Sequence, residues 1–392
     1  MPFVTMIVSM PISQPFARVL TVAFALLLST SLPAQTPPRP ATPTLDEKIG
    51  QMLMVGFRGT SATADSSIAH AIRQYHLGSV ILFDVDVERG TADRNIASPA
   101  QLKALVDSVQ AFARVPLFVA IDQEGGRVNR LKTTYGFPAS VSAQYLGTLN
   151  QLDSTTHYAE ITARTLKSLG ITVNFAPVVD LNTNPDNPVI GRLERSFGAD
   201  PALVTRHALA VVAAHRAQGV VPVFKHFPGH GSAWNDSHLG MADVTETWRE
   251  HELTPYRTAI AAGALDAIMT AHIFHGKLDA KHPGTLSQYV IGTLLRKDLG
   301  FNGLVFSDDM QMKAIVNFYG LEQAIELAVN AGVDVLTFGN NARPYEPDIA
   351  ERAFRTVKSL VERGRIPIAR IDEAYARILD TKTRYGVLAG AR

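Results

Sequence analysis

Val220-Val221-Pro222-Val223-Phe224-Lys225-His226-Phe227-Pro228-Gly229-His230-Gly231 divides into two unlike halves. The first five residues are apolar and mostly β-branched, as a buried parallel strand requires. The remainder is polar and broken by Pro228, Gly229 and Gly231, which permit backbone bends that a packed strand would resist. After four further residues comes Asp236-Ser237-His238, so the two strings place Lys225, His226, His230, Asp236, Ser237 and His238 within fourteen residues. The polar cluster begins where a strand ends, and it reads as an active-site loop.

Outward from this unit the same alternation recurs. Eight short apolar runs stand at Met52 to Phe57, Gly78 to Phe83, Leu117 to Asp122, Val173 to Asp180, Val220 to Phe224, Ala267 to Ile273, Gly303 to Asp308 and Asp334 to Phe338. Helical patterns lie between them. Val204, Ala208, Val211, Val212 and His215 share one helix face behind Asp200-Pro201, a good cap and first-turn pair. Ile371, Ala374, Tyr375 and Ile378 mark the last helix in the same way. Eight strands alternating with helices predict an α/β fold, a single (β/α)8 TIM-type barrel over residues 45–392. A doubly wound open sheet is the rival, but no Gly-x-Gly-x-x-Gly follows the first strand. Neither a linker after residue 45 nor a run of sandwich-like strands suggests a second domain.

A barrel demands that chemistry sit at the carboxyl ends of several strands. Asp236 can accept a hydrogen bond from one ring nitrogen of His238 and leave the other free for proton exchange, an acid/base dyad. A solvated or structural pair is the plainer alternative. Metal binding is another, since His226, His230, Asp236 and His238 are all ligand types, but no His-x-His follows an early strand and no Cys exists. No metal and no cofactor are expected. Other strand ends are also polar: Asp122-Gln123-Glu124 with Arg127 and Arg130, Asp180, Thr270-Ala271-His272, and Ser307-Asp308-Asp309.

The string KHFPGHG followed by DSH resembles the signature of family 3 glycoside hydrolases, in particular the β-N-acetylhexosaminidase branch; the β-glucosidases of that family are not expected to carry Asp-Ser-His. The resemblance implies that Asp308 is the nucleophile and that His238, oriented by Asp236, is the acid/base. It implies sugar contacts from Asp122, Arg130, Lys225 and His226. The family's Ile-Gly-x-Arg-Ser-Phe pattern appears as Ile190-Gly191-Arg192-Leu193-Glu194-Arg195-Ser196-Phe197, with two extra residues. Arg195 is matched to the substrate-binding arginine because Ser196-Phe197-Gly198 follow it, with Arg192 its rival. A loop-closing ion-pair network is the alternative for Glu124, Arg127 and Arg130 and the better reading for Arg127 alone, while Asp180 reads as a bridge between strand ends and His272 as a pocket wall. His230 buttresses the loop or joins the site. Asp309 points away from Asp308 if the strand pleat persists, and suits the cap of the next helix.

The function so implied is a retaining exo-β-N-acetylglucosaminidase acting on peptidoglycan fragments (muropeptides) through a covalent glycosyl-enzyme. Two rivals remain: a phosphorylase that intercepts the same intermediate with phosphate, and a non-catalytic sugar-binding protein of the cell envelope. The chain's 392 residues, 46% hydrophobic and 19% charged, with a formal charge of +1 and scattered basic residues, give no sign of a nucleic-acid partner. A small glycan is the expected partner, and a monomer the expected state. Residues 1–34 resemble a signal peptide: Arg18, an apolar run from Val19 to Leu28, then small residues and Pro33. Cleavage near Ala34-Gln35, a Pro-rich linker over 35–44 and an exported, periplasmic or secreted protein with no membrane span after processing are expected. A start at Met10 and a retained amino-terminal anchor are the alternatives.

Overall fold

Eight short strands form one ring in the computed structural model of the chain, which describes residues 42–390. The expected signal segment and all but the last three residues of the linker lie outside the described residues. The strands are β1 (Leu53–Gly56), β2 (Ser79–Leu82), β3 (Phe118–Ile121), β4 (Val173–Asn174), β5 (Val221–Phe227), β6 (Ala267–Thr270), β7 (Leu304–Phe306) and β8 (Leu336–Phe338). β1 to β7 pair in parallel in chain order, and β8 returns to pair with β1 at Leu53↔Leu336, Met54↔Thr337 and Val55↔Phe338. A single parallel bridge, Phe306↔Val335, joins β7 to β8. The alternation therefore yields the (β/α)8 barrel, with each apolar run supplying one strand.

The helices form as their local signals direct. Pro201–Ala217 starts on Asp200, whose side chain accepts from the backbone N–H groups of Ala202 and Leu203, and it buries Val204, Ala208, Val211, Val212 and His215 against the sheet. Inside the ring Phe175 and Phe306 meet edge to face at 5.4 Å, forming part of the floor below the strand ends. One run departs from expectation. β4 keeps only two residues as regular strand, because Pro177 has no N–H to give to the ladder. Contact with β5 carries on alongside, the Val223 N–H donating to Ala176 O at 3.0 Å and the Val179 N–H to Lys225 O at 2.9 Å.

At the opposite, amino-terminal face of the barrel, Lys382 from the last helix is fully buried, with no counter-ion among the described residues. Its Nζ donates to Gln51 Oε1 (2.7 Å) and Gly78 O (3.0 Å) and stands 5.1 Å from the centre of the Phe118 ring. Burial pushes its amine down to about 7. The unfolded chain, with an ordinary lysine, therefore binds the extra proton more readily between about pH 7 and the usual lysine range. Stability contributed at this site falls as pH drops through that window and is level below it. Lys382→Met should accordingly gain on the wild type as pH is lowered from 10 to 7, measured by thermal unfolding. A pH-independent difference between the two proteins would refute the assignment.

Candidate active site

The carboxyl ends of the strands surround a cavity of about 310 Å³, within the range of small-molecule sites. Its lining includes Asp122, Arg130, Arg195, Lys225, His226, His238 and Asp308, so seven of the eight residues singled out for the site meet at one place. Asp236, the eighth, stands behind His238. A second cavity of about 50 Å³ lies behind Glu124 and Arg195 and has room for little more than water.

Lys225 is buried, and its Nζ is 2.7 Å from Asp122 Oδ1 and 2.6 Å from Glu124 Oε1. Arg195 forms a fork on Glu124, Nε to Oε2 and Nη2 to Oε1, both at 2.8 Å, and Nη1 donates to Val189 O at 2.9 Å. Burial raises the Glu124 carboxyl, but the adjoining Arg195 and Lys225 charges outweigh it and hold the group well below the usual carboxylate range. The same charge raises Arg195 against its own desolvation. Glu124 is thus the shared anion that aims two cations at the cavity. A loop-closing pair is the alternative its sequence offers, and nothing local distinguishes the two roles. Arg192 pairs with Asp186 at the surface and does not line the cavity. Arg127 pairs with Glu194, also at the surface. Arg130 is loosely held, 3.8 Å from both Asp84 and Asp122, with its face near Phe83.

Asp180 is a buried hub. It accepts from the His226 ring Nδ1–H (2.7 Å), the His226 N–H (3.2 Å) and the His230 N–H (2.7 Å). Because Nδ1 carries the proton, Nε2 of His226 is free to accept from Arg195 Nη2 at 3.3 Å.

Asp308 stands two residues past the end of β7. One carboxylate oxygen accepts the Asp309 N–H at 2.8 Å, and the side chain faces the cavity. Burial would raise its carboxyl, yet His272, His226 and His238 together with that N–H bring it down to about 2. Asp309 is a correction to the alternation argument. β7 ends at Phe306, so no pleat persists to turn Asp309 away, and it too lines the cavity. Its Oδ1 accepts from the N–H groups of Gln311 and Gly339, both at 3.0 Å, so it staples β7 to β8 and does not cap Lys313–Val316. Burial pushes this carboxyl up to about 6, and the neighbouring Asp308 charge adds to the effect. His272 is not a wall of the cavity. It lies buried beneath, with Nε2 donating to Asp309 O (2.9 Å) and Nδ1 at 2.8 Å from the Thr285 hydroxyl.

Asp236 Oδ1 accepts from both the backbone N–H and the ring Nδ1 of His238, each at 2.8 Å. Desolvation pulls the imidazolium down, but the Asp236 hydrogen bond and the Asp308 charge outweigh it, and the pKa lies above the ordinary histidine value. The site therefore holds an ionised carboxylate and an imidazole whose hold on its proton is strengthened by Asp236 and Asp308, both facing one cavity. That pairing can run attack and proton transfer on the same bond.

Residues 44–381 match the family described as glycosyl hydrolase family 3 N terminal domain. Beta-hexosaminidase A of Pseudoalteromonas piscicida is 33% identical over 385 residues, and the match covers 87% of this chain and 61% of that protein. Beta-hexosaminidase LpqI of Mycobacterium tuberculosis is 34% identical over 346 residues, 86% of this chain and 82% of the relative. Among solved structures, the family 3 β-N-acetylglucosaminidase of Paenibacillus sp. FPU-7 is similar with a TM-score of 0.81 and 38% identity, covering 90% of this chain and 64% of that one. The β-N-acetylhexosaminidase of Beutenbergia cavernae has a TM-score of 0.77 and 30% identity, covering 88% of this chain and 100% of that one. The chain thus spans less than two thirds of the length of two of these relatives.

Proposed function

The chain belongs to glycosyl hydrolase family 3, and on that premise we propose that it is a retaining exo-β-N-acetylglucosaminidase that removes terminal β-linked N-acetylglucosamine from peptidoglycan fragments. The observation that carries the reading is the convergence of Asp308 and His238 on one cavity whose other polar groups, Asp122, Lys225, His226, Arg130 and Arg195, suit the hydroxyls of a single sugar ring. In this mechanism Asp308 attacks the anomeric carbon and forms a glycosyl ester, while His238 gives its proton to the departing oxygen. His238, now neutral, takes a proton from water, and the resulting attack releases the sugar and frees Asp308. A neutral base avoids a second anion beside the nucleophile. The names of the relatives support the hexosaminidase reading.

Hydrolysis of a chromogenic N-acetyl-β-glucosaminide compared with the β-glucoside tests the substrate class; equal rates would refute the N-acetyl preference. Repeating the assay with phosphate and identifying the product tests hydrolysis, since a sugar phosphate would mark a phosphorylase.

The peptidoglycan assignment rests on export, which is part of the proposal. Among the described residues no helix is long and apolar enough to cross a membrane. Mature protein from the native host should begin near Gln35, and amino-terminal sequencing that finds Met1 or Met10 would refute removal of the leader.

A further inference from the structure

The segment that carries Asp236 and His238 is held firmly at its base. Asn187 Nδ2 donates to His230 O (2.8 Å) and Gly231 O (3.2 Å), and Asn184 Nδ2 donates to Ala233 O (2.8 Å). Gly231 presses so close to the chain after β4 that a Cβ there would stand 1.7 Å from Leu181 O. Beyond Ala233 the segment turns to solvent: Trp234 is 62% exposed and Leu239 68%. It is tied down again at Ala242–Asp243, which pairs with Ile273–Phe274.

Between those two ties one residue, Ser237, is buried. Its hydroxyl lies 3.0 Å from Nε2 of His230, whose ring is buried as well. The dyad is rigid within itself, because one oxygen of Asp236 accepts both N–H groups of His238. Its place over the cavity is another matter, and the contact that reaches inward is the one made by the residue between its two members. The other His230 nitrogen, Nδ1, is buried without a partner among the described residues. A buried orphan N–H is costlier than an orphan acceptor, so the proton belongs on Nε2, donating to Ser237. Burial, which pushes the ring down to about 4, keeps it in that neutral, single-donor form.

We propose that His230 is a positioning residue for the acid/base dyad, acting through its hydrogen bond to Ser237. The proposal rests on the reading of His238 as the acid. It gives His230 a function distinct from sugar contact, because the ring is turned to Ser237 and is absent from the cavity lining. Loss of the anchor should let His238 drift from the glycosidic oxygen while leaving the sugar-binding groups in place.

The test uses the full chain and two substrates, an activated aryl N-acetyl-β-glucosaminide and a disaccharide with a sugar leaving group. His230→Ala should lower kcat for the disaccharide on the order of 10²-fold, the loss that a misplacement of about 1 Å can bring. Aryl release in the pre-steady state should fall much less, and KM should barely change. Ser237→Ala removes the same bond from the other side without disturbing the buried ring, so it reports even where His230→Ala folds poorly. His230→Gln, which returns a donor near Nε2, should recover much of the disaccharide rate, and the His230→Ala/Ser237→Ala double variant should be no worse than the poorer single one. Equal losses on both substrates, losses confined to KM, or additive single effects would overturn the proposal. His238→Ala assayed alongside separates the layers. If that variant also lacks leaving-group dependence, the acid/base reading has failed; if it shows the dependence and the anchor variants do not, the anchor alone has failed.

Discussion

Asp308→Asn should reduce turnover on the order of 10⁴- to 10⁶-fold, the scale on which covalent catalysts suffer when the nucleophile or its activation is lost. The amide is nearly isosteric and can keep the hydrogen bond from the Asp309 N–H. It cannot form the glycosyl ester. Lys225, Arg195, Asp122 and Glu124 hold one another through contacts that do not include Asp308, so sugar binding measured by calorimetry with N-acetylglucosamine should persist. A further consequence is electrostatic. The Asp308 charge helps to raise His238, so the amide should lower the His238 pKa, readable by NMR titration of the ring. A variant that turns over at nearly the wild-type rate would point to substrate-assisted chemistry or to another nucleophile.

His238→Ala should cost on the order of 10²- to 10⁴-fold for a substrate with a sugar leaving group, the usual worth of general acid/base help. Glycosylation by an activated aryl glycoside needs little protonation and should suffer less. Deglycosylation also wants a base, so the steady state can hide the difference. A burst of aryl product in the pre-steady state, followed by slow turnover that azide restores, is the expected signature. Equal impairment of the two glycosylation steps would mark His238 as structural. The pH profile follows from the same residue. The acid must hold its proton, and its pKa lies above the ordinary histidine value, so kcat/KM for the poor leaving group should fall as pH rises through that raised pKa. Asp308, at about 2, stays ionised over the whole working range and should contribute no acid limb near neutrality. The alkaline limb should vanish from the pre-steady-state aryl reaction of His238→Ala; its persistence there would assign it to another group.

Much of this protein is written locally. Each of the eight apolar runs became a strand because alternation of short buried segments with amphipathic ones depends on neighbours in the chain, and Asp200-Pro201 starts its helix by the same short-range logic. The polar residues at strand ends were legible too, since a barrel turns those ends toward one face. Seven of the eight residues singled out reach the cavity for that reason. What stayed hidden depends on partners far apart in sequence. Glu124 looks like any loop carboxylate until closure of the ring brings Arg195, 71 residues away, and Lys225 onto its two oxygens. The bond from His230 to Ser237 needs the whole loop folded back over its own base. Asp309 was misplaced because strand alternation was carried past the residue where β7 stops, and only the pairing with β8 decides where it stops. Pro177 truncates β4, while bonds to β5 carry the chain on past it through Ala176 O and the Val179 N–H. The sequence alone thus determined which segments become strands and which residues can carry charge at their ends. Tertiary structure decided which charges face one another, because hydrogen-bond partners and burial, the two quantities that set aim and pKa, exist only once separate strands are brought side by side.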